Sequence, residues 1–322
     1  MQDPAALRTL VEDDLAQLGY ADRLPRSLYA PVSYFLGLGG KRARPVLALL
    51  AWQAYSQEPI QGGLPAARAL ELLHNFTLMH DDIMDEAPTR RGQPSVHAAW
   101  DVNTAILSGD VVLVQAVAEL AKYGSRTAAL LQAFADNARI VCEGQARDMD
   151  LETTPQPSLP DYLEMIEQKT AALIGGSLQL GALAAGAPDE EVAALYQYGL
   201  QSGVAFQIQD DVLDLYGPAD RVGKQPGGDI IQNKKTFLWL RAMELANRYQ
   251  QETLLNLTQV PDAQEKVARV QEVFDALGMQ QEGEKAIRQW AERAQATIQP
   301  LLHRPGVQLL HDYLQAVLFR TH

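Results

Sequence analysis

Cysteine occurs once in 322 residues, at Cys142, so no disulfide can form within the chain. That usage suits a reducing compartment, and the ordinary role of a lone cysteine is that of a small buried hydrophobe. Basic residues are in deficit. Lys and Arg number 27 against 40 Asp and Glu, for a formal net charge of −13. This balance argues against nucleic acid as a partner, because phosphate backbones need broad basic surfaces. A small anionic substrate stays open. Screening confines exposed charges to about 8 Å at physiological salt, so a local basic cluster can act within an acidic protein. The N-terminal MQDPAALRTLVEDD lacks the basic start and apolar core of a signal peptide. The longest uncharged run, Thr170 to Pro188, carries Gly175, Gly176, Ser177, Gln179, Gly181 and Gly186. It is too polar and glycine-rich for a membrane span, and reads as a small-residue helix packed closely on a neighbour. The expectation is a soluble, cytoplasmic protein without a transmembrane segment.

Sustained Val/Ile/Thr alternation, the mark of strands, is also scarce. Apolar residues recur instead at three- and four-residue steps, as in Arg68–Leu73 and Val111–Ala116. Helix-stopping Pro and Gly gather at Gly37–Gly40, Pro59–Pro65, Pro88–Pro94, Thr153–Pro160, Gly186–Pro188, Gly217–Gly228, Pro261 and Arg304–Gly306. No long linker and no solenoid repeat interrupts this pattern. A single all-α domain over residues 1–322 is therefore expected. GLGGKR at Gly37 is no dinucleotide loop, having Arg42 where the last glycine belongs. GPADRVGKQ at Gly217 fails as a P-loop, having five residues between its glycines and Gln225 after the lysine.

What is abundant is aspartate in a pattern. HDDIMDEAPTRRG places Asp81, Asp82 and Asp85 at i, i+1 and i+4. On a helix Asp81 and Asp85 point the same way, about 6 Å apart along the axis, with Asp82 turned aside. Oxygen ligands so spaced suit a hard cation, and Mg²⁺ typically takes one or two carboxylates plus substrate phosphates. One acidic triplet is an ordinary solvated face. FQIQDDVLD repeats it at Asp210, Asp211 and Asp214, again closing an apolar helical stretch and running into a Gly/Pro loop. Two helices presenting aspartates across a cavity could hold several Mg²⁺ ions. Without metal the carboxylates repel one another. A metal reverses that sign.

Basic residues flank these motifs: Lys41, Arg42 and Arg44 in GGKRARP; Arg90 and Arg91 in TRRG; Lys169 beside Thr170 in EQKT; Lys224, Lys234 and Lys235 in GKQPGGDIIQNKKT. Arginine forks grip phosphate bidentately and lysine acts as a point charge. His74 lies seven residues before Asp81 on roughly the same face, where it could bond a diphosphate oxygen. His80 and His97 are read as ordinary packed residues.

These motifs, with LSGD at Leu107–Asp110 and EGQARD at Glu143–Asp148, resemble those of the trans-isoprenyl diphosphate synthases, the polyprenyl synthetase family. Their order and spacing fit over nearly the whole chain. The resemblance implies an all-helical isoprenoid-synthase-type bundle around a deep central cavity, usually in a homodimer, with three Mg²⁺ ions. Asp81, Asp82 and Asp85, and Asp210, Asp211 and Asp214, match its metal positions. Lys41, Arg44, His74 and Arg91 match the residues that bind isopentenyl diphosphate. Arg90, Lys169, Thr170, Gln207, Lys224 and Lys234 match those around the allylic diphosphate. Two departures stand beside that site: Asn233 where glycine is frequent, and Leu238 where proline is frequent. They leave Lys234 and its neighbour Lys235 as alternatives for the allylic contact.

The implied reaction is a head-to-tail 1′–4 condensation of isopentenyl diphosphate with an allylic diphosphate. Asp81, Asp85, Asp210, Lys169 and Lys234 are the expected catalytic set. Thr77, Leu73 and Leu70 continue the Asp81 face of an ideal helix, Leu73 about 12 Å below it. In the family, an aromatic five residues before the first aspartate limits growth, and here that residue is Phe76. With Phe76, Thr77 and Leu73 as the chain-length set, the C20 diphosphate is expected, C15 next. A longer-chain synthase, a terpene cyclase and a non-catalytic subunit of the same fold are the alternatives.

Overall fold

A computed structural model of the chain describes residues 1–217 and 227–318. It is 81% helical. The helices are α1 (Pro4–Ala16), α2 (Arg26–Gly37), α3 (Ala43–Tyr55), α4 (Leu64–Met84), α5 (Val96–Ala99), α6 (Val102–Leu120), α7 (Thr127–Thr153), α8 (Leu159–Ile166), α9 (Ala172–Ala185) and α10 (Asp189–Tyr216). Gly228–Ile231, Phe237–Leu245, Arg248–Leu257, Ala263–Ala276, Met279–Ile298 and Pro305–Leu318 follow. Among the described residues, the sheet is one small hairpin. Thr89 pairs with Pro94 and Arg90 with Gln93, antiparallel.

Most helix ends fall at the expected Pro/Gly clusters. α2 ends at Gly37, and α9 ends just before Gly186, whose φ of 79° breaks the helix. Single glycines make two further breaks. Gly124, between α6 and α7, has φ 59°, and Gly278, before Met279, has φ 70°.

Contacts group the chain into two compact units. The first gathers Met1–Ala138, Leu173–Tyr196 and Pro300–Val317. The second gathers Arg139–Ala172 and, among the described residues, Gln197–Gln299 and Leu318.

In the first unit, α4 packs along α6 and α3. From Leu64 to Asn75 it is buried on nearly every side, and its buried Glu71 is paired with Arg42. Farther on, burial retreats to one face. Leu70 and Leu73 are fully buried, Thr77 and Asp81 partly open, and Asp85 exposed. α9 is the close-packed small-residue helix that its composition predicts. A Cβ on Gly181 would lie 2.1 Å from the Ala48 carbonyl oxygen, and one on Gly176 would lie 2.6 Å from Asn137 Oδ1. The stretch Val102–Thr153 contains an 18-residue window apolar enough to cross a membrane by length and composition, 39% of it buried.

In the second unit, Ser158 and Asp161 form a reciprocal capping box that starts α8. α8 runs into a single π-type turn, Glu167–Ala171. Cys142, expected to be buried, is instead exposed on α7.

Candidate active site

The first acid motif closes α4. The Asp85 N–H donates to the Asp81 carbonyl at 2.9 Å, so the helical i, i+4 relation holds through the motif. Asp82 turns the other way and is buried, 1% exposed. Arg90 Nε donates to its Oδ1 at 2.8 Å, and Arg90 Nη2 also reaches Asp81 Oδ2 at 3.3 Å. Burial holds the Asp82 pKa above the usual carboxylate range, and the Arg90 bond opposes that shift. Burial works against the Arg90 charge too, but its bonds to Asp82 and Asp81 more than offset this and hold its pKa up. Asp82 thus fastens the hairpin that carries Arg90 and Arg91. Ser95 locks the hairpin's far end by donating to the Ala87 carbonyl at 2.7 Å.

Arg91 adopts φ 54°, a left-handed conformation unusual for a side chain of its size. Its guanidinium lies against Gly40, where a Cβ would sit 2.9 Å from Nη2. Gly40 itself has φ 144°, a conformation that favours glycine, and a Cβ there would also displace the Arg91 guanidinium. The next turn is held by Arg42, also left-handed at φ 52°. Arg42 is buried, pairing with Glu71 at 2.5 Å and donating to the Leu36 carbonyl at 2.7 Å. It therefore anchors the loop, leaving Lys41 exposed and Arg44 pointed at His74, 3.2 Å from Nη1 to Nε2. Desolvation pushes the His74 pKa well below its ordinary value, helped by Arg44, Arg91, Arg90 and Arg42. Burial likewise lowers Arg44 and Arg91. One arginine thus touches a neutral, partly buried imidazole and three more stand near enough to act on it. Like charges so held disfavour one another, and an anion with several oxygens would relieve them.

The second motif lies on α10. Asp210 is exposed. Asp211 is buried, and both of its oxygens meet protein donors. Oδ2 accepts from Tyr162 Oη at 2.5 Å and from the Phe237 N–H at 3.1 Å. Oδ1 accepts from Gln207 at 3.3 Å. Burial raises its pKa to about 7 despite those bonds, and raises Tyr162 well above 10. Asp214 Oδ2 accepts the Asp229 N–H at 3.0 Å. Asp82 and Asp211 are the buried members of the two motifs, Asp81 and Asp214 are partly open, and Asp85 and Asp210 are exposed.

Lys169 and Thr170 sit in the π turn, a feature common at functional sites. Asp148 of α7 pairs with Lys169 at 2.5 Å. Thr170 donates to Gln207 at 3.3 Å. Gly144 of α7 makes room for the turn, since its Cβ would lie 2.3 Å from Lys169 N. The two candidate lysines separate. Lys235 Nζ is spent on the Leu151, Glu152 and Thr154 carbonyls, at 3.1, 3.1 and 2.5 Å. Lys234 is exposed and lines a recess of about 10 Å³ with Asp211, Asp214 and Asp229. Lys224 lies outside the described residues.

Sequence reasoning missed Asp148, Tyr162, Gly144 and Glu71. The EGQARD run contains two of them and could have marked Asp148.

Phe76 and Thr77 lie on the partly open stretch of α4. Leu73, one turn below, is sealed in the core. As for metal, among the described residues no three His, Cys, Asp or Glu side chains converge closely enough to hold an ion unaided. Mg²⁺ keeps several waters and binds through one or two carboxylates plus phosphates. The paired carboxylates of Asp81 and Asp85 in the first unit, and the carboxylate of Asp210 in the second, are each donors of the kind such an ion takes.

An all-helical bundle with repeated aspartate motifs beside phosphate-type basic clusters defines a class, the isoprenoid synthase fold. The sequence pattern of the polyprenyl synthetase family matches residues 25–277. A geranylfarnesyl diphosphate synthase of Natronomonas pharaonis is 42% identical over 238 residues, 68% of this chain and 70% of that protein. A geranylgeranyl pyrophosphate synthase of Geoglobus acetivorans is 33% identical over 317 residues, 97% of each. A crystal structure of a geranylgeranyl pyrophosphate synthase superposes with TM-score 0.93 at 38% identity, covering 100% of both chains. The chain belongs to the polyprenyl synthetase family and is a prenyltransferase.

Proposed function

We propose that this prenyltransferase condenses isopentenyl diphosphate with an allylic diphosphate, head to tail and trans, and that its main product is the C20 diphosphate, geranylgeranyl diphosphate. A C15 product, farnesyl diphosphate, is the second reading of its length. Relatives named as geranylgeranyl diphosphate synthases support this length. The observation that carries the reading is the cationic cluster at His74, with Arg44 at 3.2 Å, set along the same helix as the Asp81–Asp85 pair. A terpene cyclase, which handles one diphosphate, has no use for a second anion site.

Lys41, Arg44, His74 and Arg91 take isopentenyl diphosphate. Arg90, Lys169, Thr170, Gln207, Lys224 and Lys234 surround the allylic diphosphate. Lys234 fills that role rather than Lys235, whose ammonium is committed to backbone carbonyls. Asp81, Asp85 and Asp210 carry Mg²⁺, about three ions for each substrate pair by family resemblance. Asp82, Asp211 and Asp214 hold the two motifs in place. Bound Mg²⁺ supplies Lewis-acid stabilisation of the departing diphosphate. Lys169, Lys234 and Arg90 stabilise the same developing charge as the allylic C–O bond breaks. The isopentenyl double bond attacks the allylic cation, and the released diphosphate accepts the lost proton, so no side-chain base is needed. Water must be excluded, or it would quench the cation. Phe76, with Thr77 and Leu73 around it, limits the growing chain.

The chain works as one catalytic domain, as a cytoplasmic homodimer. The outer face of α6 supports the dimer. Val102, Ile106, Leu107, Val114 and Val117 are 38–67% exposed there, a row of apolar residues of the kind that marks contact sites. Asp110, also exposed on α6, is ill suited to lipid.

Product chromatography tests the assignment. Purified protein, Mg²⁺, isopentenyl diphosphate and C5, C10 or C15 allylic starters should converge on a C20 diphosphate. A hydrocarbon made without isopentenyl diphosphate would establish the cyclase instead. No elongation from any starter would establish a non-catalytic subunit.

A further inference from the structure

We propose that His80 and Gly109 form a seat for Phe76 and thereby set product length with it. The inference rests on the reading of Phe76 as the limit to chain growth.

Phe76 and His80 stand one turn apart on α4, so their side chains meet. Their ring centroids are 4.6 Å apart with planes tilted by 55°, within the favourable range for aromatic pairs. His80 is fixed in turn to α6. Its Nε2 lies 3.3 Å from the Ile106 carbonyl oxygen and 3.7 Å from Asp110 Oδ1. A carbonyl only accepts, so Nε2 carries the proton and donates. Gly109, one turn along α6 and buried, leaves the space in which both rings lie. A Cβ there would fall 2.5 Å from His80 Nε2 and 3.5 Å from Phe76 Cδ2. Phe76 is only partly buried, so it has a backed side and an open side.

A ring that stops a growing chain must not retreat when pressed. Phe76 alone has two freely turning torsions. His80 blocks one direction of retreat, and its bond to α6 keeps it from moving along. Removing the His80 ring opens room behind Phe76 and should lengthen the product. Adding a methyl at Gly109 displaces His80, which through its ring contact presses Phe76 toward the open side, and should shorten the product. An apolar pocket discriminates one methylene by about 10- to 200-fold, so displacement of the ring that ends the pocket should register in the product distribution.

The test is product analysis from a C15 starter for wild type, Phe76→Ala, His80→Ala, His80→Gln, Gly109→Ala and the double variant Phe76→Ala/His80→Ala. His80→Gln keeps a donor for Ile106 while removing the ring, and covers the case in which the alanine variant does not fold. Phe76→Ala should lengthen the product. Both His80 variants should raise the ratio of longer products to C20 by about tenfold or more. Gly109→Ala, assayed from a C10 starter, should shift the distribution toward C15. The double variant should match Phe76→Ala, because the seat has no role without its ring. Unaltered products from both His80 variants, with Phe76→Ala lengthening, would overturn the seat and leave the prenyltransferase reading intact. Unaltered products from Phe76→Ala would remove Phe76 as the limit and the seat with it. A wild type that elongates nothing would remove the broader reading.

Discussion

His74 occupies an unusual setting for a histidine: an arginine touches it and three more stand near. Its folded-state pKa lies well below 6.5, chiefly through desolvation. In the unfolded chain the same imidazole titrates near 6.5. Below that pH the unfolded state binds a proton that the folded state refuses, so stability falls as pH drops through 6.5. Urea unfolding at pH 7.5 and pH 5.5 should show this loss, and His74→Gln should reduce it. An equal pH dependence in the variant would place the titrating group elsewhere. Asp211 poses the complementary case. Tyr162→Phe would remove one of its three donors while it stays buried. Loss of a buried hydrogen bond of this kind costs about 1–3 kcal/mol, which should appear as a lower denaturation midpoint. At this scale the sequence was legible where partners are close in the chain. Asp81 and Asp85 share a face because four residues make a helical turn. Asp211 and Tyr162 lie 49 positions apart, and no local pattern announces their meeting.

Helices were legible by the same logic. Pro and Gly clusters marked most of their ends, although single residues such as Pro31 in α2 and Gly144 in α7 sit within helices. The π turn at Glu167–Ala171 was not, although its residues EQKT had been singled out. Its extra residue is accommodated by Gly144 on another helix, a tertiary fact. Gly144→Ala would drive a methyl into the Lys169 backbone. Overpacking typically costs about 1–3 kcal/mol, and here it should also displace Lys169 from Asp148. The expected result is a raised KM for the allylic substrate along with the lost stability. A variant with unchanged KM would show that the turn does not position Lys169. The hairpin at Thr89–Pro94 escaped notice for another reason: two-residue strands leave no alternation to read.

For the molecule as a whole, family and reaction class were legible because the motifs recur in order along the entire chain. The grouping of contacts into two units was not, since each unit is assembled from segments distant in sequence. Association is the property that the sequence left to resemblance, and the exposed apolar row of α6 is its proposed contact face. Val114 is 67% exposed on the proposed contact face. Sedimentation should give twice the 35.4 kDa chain mass for wild type, and Val114→Glu should shift it toward the monomer. A dimer unmoved by that change would place the interface elsewhere.

Rate of inorganic diphosphate release bears most directly on the central claim, that both acid motifs hold the cations which draw diphosphate from the allylic chain. It is measured against Mg²⁺ concentration, with an allylic diphosphate and isopentenyl diphosphate, for wild type, Asp81→Asn and Asp210→Asn. Release should require Mg²⁺ and should fall by about 10²- to 10³-fold in each variant, the scale seen when a group stabilising transition-state charge is removed. Their thermal midpoints without ligand should stay near that of wild type. Release at close to the wild-type rate from either variant would contradict the account.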